Sequence, residues 1–160
     1  MLEERKTNAA RVVDCFAIMR RALANDIDLG EGESLPLVQY YALRALVERD
    51  RTAGELARAV VVSLPSLTQI VDGLVDRQCV QRCAAPHDRR KVVLTITPAG
   101  REVYERAREA VESRVADLLT DLNVEQGTAL VLGLESLSGA IRRRWLATQA
   151  PEIASSSRRV

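Results

Sequence analysis

Aromatic side chains are scarce in this chain: one Phe, three Tyr and one Trp make up 3% of 160 residues. A ligand held mainly by ring stacking finds little support in so few rings. Histidine is scarcer still, with His87 alone, and neither a nucleophile elbow nor a phosphate-binding glycine loop occurs. The common catalytic constellations are therefore missing, which argues against an enzyme. Cysteine is limited to Cys15, Cys79 and Cys83, too few and odd in number for a disulfide scaffold. In an extended strand Cys79 and Cys83 would lie about 13 Å apart, beyond the ~7 Å reach of a disulfide and too far to share a zinc ion with bonds of ~2.3 Å. No metal or other cofactor is expected. No apolar run approaches the ~18 residues of a membrane helix. The charged N-terminus MLEERKTNAARVV has no signal-peptide core, so a cytoplasmic protein with no membrane partner is expected.

An excess of charge of one sign is lacking as well. Lys+Arg number 23 and Asp+Glu 22, a net charge of +1, which at first sight speaks against nucleic acid as a partner. The charges are segregated, however. Residues 77–101 carry Arg77, Arg82, Arg89, Arg90, Lys91 and Arg101 against Asp88 alone, net +5; residues 142–160 carry net +4, and the remainder net −8. A balanced total thus conceals two basic segments. With 47% hydrophobic and 28% charged residues, the chain has the composition of an ordinary globular domain, and no internal repeat is found.

The hydrophobic spacing predicts a helix over 4–25, with Val12, Phe16, Met19 and Leu23 on one face. Asp26, Asp28, Gly30 and Gly32 then read as a loop. Leu35-Pro36 opens a second helix ending near Asp50. Thr52-Ala-Gly-Glu55 is a capping box for a short third helix. Ser63 as N-cap and Pro65 in the first turn start a fourth, which buries Leu67, Ile70, Val71 and Leu74. The period changes to alternation around Val80–Arg82 and Val92, Leu94 and Ile96, two strands of a hairpin whose tip is Ala84–Arg90. Thr97-Pro98 starts a long helix to about 122, and Asn123–Gln126 caps a last one carrying Leu130, Leu134, Leu137, Ile141 and Trp145.

Two short helices across a tight turn, followed by a basic hairpin, make a mainly α fold. It is a winged helix-turn-helix domain (a three-helix core plus a β-hairpin wing) with long N- and C-terminal helices whose apolar stripes a 160-residue monomer would struggle to bury. In such a motif the second helix fits the major groove of DNA. TAGELARAVVVSLPSLTQIVDGLVDRQCVQR at 52–82 and DRRKVVLTITPAG at 88–100 resemble the MarR family of bacterial transcription regulators, and the resemblance extends over residues 10–146.

The resemblance implies a homodimer that reads a pseudo-palindromic operator in double-stranded DNA. It divides the chain into an N-terminal dimerisation helix and loop (1–34), a winged helix-turn-helix domain (35–101), C-terminal dimerisation helices (102–148) and a flexible tail (149–160). It places Arg90 in the minor groove, held there by an ion pair to Asp88, with Arg89 and Lys91 on phosphate. In the recognition helix the candidates for DNA contact are Ser63, Leu64, Pro65, Ser66, Thr68 and Gln69. Gln69 suits adenine, and Leu64 or Pro65 a thymine methyl; Ser66 and Thr68 serve phosphate or the helix end equally well. Leu64 and Asp72 stand where relatives often carry Arg or Lys. Gln78 stands where they have Gly, so the helix is expected to end differently or one residue later, because Gln in a left-handed conformation is strained.

The family also implies a repressor released by a small-molecule effector. Phe16, Met19, Tyr40 and Tyr41 are the candidate pocket residues, all equally suited to a core. A peroxide-sensing branch keeps its reactive thiol on the first helix, which makes Cys15 an alternative sensor; the plain alternative for it is a small packed hydrophobe. A further alternative is a winged helix that binds protein, although such modules lack a basic wing. The Arg142–Arg144 triad has no assigned role.

Overall fold

A computed structural model describes the backbone of residues 2–23, 26–85 and 88–156, and their side chains apart from those of 2, 5, 22–23, 85, 88–90 and 145–156. The order of elements is α1 (Leu2–Leu23), β1 (Ile27–Gly30), β2 (Glu33–Leu35), α2 (Leu37–Glu48), α3 (Ala53–Val60), α4 (Leu64–Asp76), β3 (Val80–Ala85), β4 (Asp88–Ile96), α5 (Pro98–Leu119) and α6 (Val124–Ser156). The expected mainly helical winged helix-turn-helix is present. The chain divides into two compact units, Met1–Ser113 and Arg114–Val160.

In the first unit the core is built where α2, α3, α4 and the β3–β4 hairpin meet, around the fully buried Leu43, Leu46, Leu56, Leu67 and Leu74. Burying a Leu side chain is worth ~1.5–3 kcal/mol, so this cluster is the main source of stability. The wing follows from alternation: Val80 pairs with Ile96 and Arg82 with Leu94, and Val80, Leu94 and Ile96 are buried while Val92, nearer the tip, is 56% exposed. Arg51 adds an isolated antiparallel bridge, its N–H donating to the Leu94 carbonyl at 3.3 Å and the Leu94 N–H donating to the Arg51 carbonyl at 2.8 Å. α1 contributes no described residue to this core or to the apolar residues packed on it.

The loop expected between the first two helices is instead an antiparallel hairpin, with Ile27 opposite Leu35 and both buried. Its acidic residues concealed the strands. The turn itself follows from backbone preference: Glu31 (φ 55°) and Gly32 (φ 78°) are both left-handed, the requirement of a type I′ hairpin turn.

The ends of the helices are set by local chemistry. Thr52 and Glu55 form a reciprocal capping box, with Glu55 N–H to Thr52 Oγ1 at 3.3 Å and Thr52 N–H to Glu55 Oε2 at 2.8 Å. These bonds, above all the Thr52 backbone N–H and then the Thr52 hydroxyl, with Arg49 adding less, hold the Glu55 carboxyl down to about 2 from its usual 4.5. A depressed carboxylate stabilises the fold fully above its unfolded value, and the gain is lost as pH falls through the folded value. Glu55→Gln, which keeps the box but not the charge, should therefore cost about 1 kcal/mol at neutral pH. Urea unfolding of the two proteins as a function of pH should show that difference shrinking below pH 4.5 and vanishing only below about 2; a gap constant with pH would rule out the charge as its source.

In the second unit, Asn123 and Gln126 exchange backbone-to-side-chain bonds of 3.0 and 2.9 Å, a second capping box that starts α6. Leu130, Val131, Leu132, Leu134 and Ile141 on α6 are all exposed.

Candidate nucleic-acid interface

The turn between α3 and α4 changes direction by 101°. It does so through Val61, which is left-handed (φ 59°) and 88% exposed. For a β-branched residue that conformation costs ~1–2 kcal/mol, and the strain sits at the corner that aims α4. Ser63 then caps α4, its Oγ accepting from Ser66 N–H at 3.3 Å and lying 2.8 Å from Ser66 Oγ. Thr68 Oγ1 donates to the Leu64 carbonyl at 3.1 Å. Ser63, Leu64, Pro65, Ser66, Thr68 and Gln69 are all exposed. The hydroxyls thus serve the helix itself, while the Gln69 amide has no hydrogen-bond partner among the described residues. The opposite face, Leu67, Val71 and Leu74, is in the core.

The far end of α4 corrects the expectation for Gln78. The helix ends without displacement, and Gln78 itself adopts the left-handed conformation (φ 58°). Cys79 N–H reaches the Leu74 carbonyl and Gln78 N–H the Val75 carbonyl, each at 2.8 Å, the two bonds of a Schellman cap. Leu74 and Cys79, both buried, supply the apolar contact of that cap. Thr97 Oγ1 donates to the Gln78 carbonyl at 2.7 Å, so the strained residue is held from both sides.

That same hydroxyl caps α5 by accepting from Gly100 N–H at 3.0 Å, while Thr97 N–H bonds the Cys79 carbonyl at 3.0 Å. The first turn of α5 therefore lies directly on the junction of recognition helix and wing. This explains the Thr-Pro-x-Gly pattern physically: a Cβ on Gly100 would overlap the Cys79 carbonyl and come 2.9 Å from Ile96 Cγ1. Cys79 is a packed core thiol, pushed up in pKa chiefly by burial, and Cys83 is half-buried on β3.

Two charge links tie the interface together, and sequence reading missed both. Arg82 of β3 meets Asp72 of α4 at 2.6 Å. Glu33 of the first hairpin meets Arg106 of α5 at 3.0 Å and Arg77, the C-cap residue of α4, at 3.7 Å. The members of each link are ten or more residues apart, and no local spacing rule announces them. Of the wing candidates Lys91 is exposed. The side chains of Asp88, Arg89 and Arg90, together with His87, lie outside the described residues.

The four effector candidates stand in different settings. Phe16 and Met19 are exposed on α1. Tyr40 is buried and stacks on Tyr104 at 5.7 Å between ring centroids. Tyr41 is exposed and lines a cavity of about 380 Å³ with Arg44, Ala45, Glu48, Arg51, Ala59 and Val60. Cys15 is exposed. Among the described residues no group of His, Cys, Asp and Glu is arranged to hold a metal ion, and no single helix is long and apolar enough to cross a membrane.

Comparison with known proteins agrees with this geometry. Residues 34–91 match the model of the MarR family. An uncharacterised helix-turn-helix-type transcriptional regulator of Mycobacterium leprae is 32% identical over 113 residues, covering 69% of this chain and 78% of that protein. The chain spans 62% of the length of further relatives from Mycobacterium bovis and Mycobacterium tuberculosis, 35% identical over 88 residues and 54% of this chain. Among solved structures, the transcriptional regulator BldR of Sulfolobus solfataricus superposes with a TM-score of 0.68 at 28% identity over 88% of this chain and 98% of its own. The transcriptional repressor CouR, bound to a 23-mer DNA duplex, gives 0.55 at 27% identity over 66% and 75%. With its recognition helix, basic hairpin and Thr-Pro-x-Gly junction all in place, and with mycobacterial relatives named helix-turn-helix-type transcriptional regulators, the chain belongs to the MarR family.

Proposed function

We propose that the protein is a sequence-specific DNA-binding transcription regulator, a cytoplasmic homodimeric repressor whose hold on a pseudo-palindromic operator is released by a small-molecule effector. The observation that carries this reading is a capped helix, α4, turning its Ser63–Gln69 surface to solvent on the same rigid core as a hairpin whose tip sequence is Asp88-Arg-Arg-Lys91. A helix so mounted presents base-reading side chains, and the wing supplies sequence-independent attraction to phosphate. The DNA-bound CouR relative supports the same use of the fold.

In this reading residues 35–101 form the DNA-binding domain, and residues 1–34 and 102–148 pair with a second copy. The support for pairing is apolar surface without a core. Val12, Phe16 and Met19 on one face of α1 are 43%, 44% and 37% exposed, and Leu130, Leu134 and Ile141 on one face of α6 are 37%, 38% and 58% exposed. Exposed stripes of this extent mark an interaction surface. The effector reading is supported by the cavity beside Tyr41, whose size falls in the ~300–1,000 Å³ range of small-molecule sites.

Fluorescence anisotropy tests the proposal directly, using the gene's own upstream DNA and a random duplex of equal length with heparin as competitor. The upstream duplex should be held about 1,000-fold or more tightly than random DNA, with affinity falling steeply as salt rises. Equal affinity for both, or none for either, overturns the reading.

A further inference from the structure

The outward line of α4, opposite Leu67, Val71 and Leu74, runs through Pro65, Gln69, Asp72 and Asp76. No Lys or Arg occurs from Ser63 to Asp76. A helix offered to a polyanion thus carries carboxylates along its second half. Asp72 is not a bare charge: its Oδ1 accepts from Arg82 at 2.6 Å, with the two side chains 55% and 44% exposed. Arg82 stands at the root of the wing, paired across the hairpin with Leu94. One of the basic groups of residues 77–101 is therefore held on the recognition helix rather than offered to phosphate.

From this pair we infer that Asp72 sets specificity by holding Arg82 away from the DNA backbone, so that non-specific binding is suppressed more than operator binding. The inference rests on the DNA-binding reading above. Non-specific complexes are held almost entirely by phosphate contacts, each released guanidinium adding affinity regardless of sequence. A carboxylate on the outward line raises the energy of any complex that brings phosphate close to it. In a complex seated in the groove the same line faces base edges, where a carboxylate meets amino donors as well as acceptors. The pair therefore lowers affinity for random DNA and spares the seated complex. Asp72 is a positioning residue here, acting through Arg82.

Asp72→Asn keeps the shape and removes the restraint. On a random duplex, anisotropy between about 50 and 200 mM salt should show it binding ~3–10-fold more tightly than wild type, with a log–log salt slope steeper by ~0.9 per chain, the signature of one phosphate contact added by each copy of Arg82. Affinity for the upstream duplex should rise less, so the specificity ratio falls. Arg82→Gln should weaken random binding by leaving Asp72 uncompensated. The double variant should lack the added slope, which identifies Arg82 as its source. All three should melt as wild type does, because an exposed ion pair contributes little to stability. An unchanged random-DNA slope in Asp72→Asn, or a steeper slope retained in the double variant, overturns the inference alone. Absence of salt-dependent binding in the wild type overturns the DNA-binding reading with it.

Discussion

Gly100→Ala should destabilise the protein by about 3 kcal/mol or more, a large fraction of the ~5–15 kcal/mol that holds a domain folded. The added methyl would overlap the Cys79 carbonyl, which is a backbone group, already bonded to Thr97 N–H at 3.0 Å and unable to swing aside. Ile96 Cγ1, 2.9 Å from the new atom, is pinned by its strand pairing with Val80. Relief requires the first turn of α5 to lift off, and lifting it breaks the Thr97 hydroxyl's bond to Gln78 as well. The left-handed Gln78 would then be without one of the bonds that hold it. Gly54→Ala is the matched control: nothing lies within 4 Å of a Cβ there, and alanine in a helix gains up to ~1 kcal/mol over glycine. Urea unfolding of the two variants should move the midpoint in opposite directions. A loss below ~1 kcal/mol for Gly100→Ala would mean that the α5 junction yields, contrary to the packing described.

Much of this architecture was legible in the sequence because its signals are local. The capping boxes at Thr52–Glu55 and Asn123–Gln126, the Ser63–Pro65 start and the Thr97–Pro98 start each depend on residues three or four apart, and each stands where spacing placed it. What escaped was non-local. The β1–β2 hairpin reads as loop because Asp26, Asp28, Glu31 and Glu33 outnumber Ile27, Leu29 and Leu35, yet those apolar residues find the core or its edge from across the fold. Gln78 departs from its intrinsic preference because the Thr97 bond, nineteen residues on, helps to hold it. The site divides in the same way. The exposure of Ser63–Ser66, Thr68 and Gln69 around the buried Leu67 follows from helix periodicity, whereas the Asp72–Arg82 link spans ten residues and two kinds of secondary structure.

The wing carries the second large effect. Replacing Arg89, Arg90 and Lys91 together by glutamine should weaken binding of the upstream duplex by roughly 100-fold and flatten the salt slope by up to ~2.7 per chain, at ~0.9 for each cation withdrawn from phosphate. The reasoning starts from the charge distribution: residues 77–101 carry net +5 in a chain whose total is only +1. Within that segment Arg82 is committed to Asp72 and Arg77 approaches Glu33. Neither is offered freely to DNA, and α4 itself contains no cation. Of the four other basic groups of the segment, Arg89, Arg90 and Lys91 share the hairpin tip, where β4 begins at Asp88 beside a bulge in its pairing with β3, and Arg101 follows on α5. Random DNA should lose affinity in nearly the same proportion as the operator, because phosphate contacts carry no sequence information. The hairpin beyond Lys91 is fixed by Leu94 and Ile96 in the core, so the variant should keep its melting temperature. Retained affinity and slope in a folded triple variant would remove the wing tip from the interface. A drop confined to the operator would instead make these residues readers of bases or of groove shape rather than phosphate ligands.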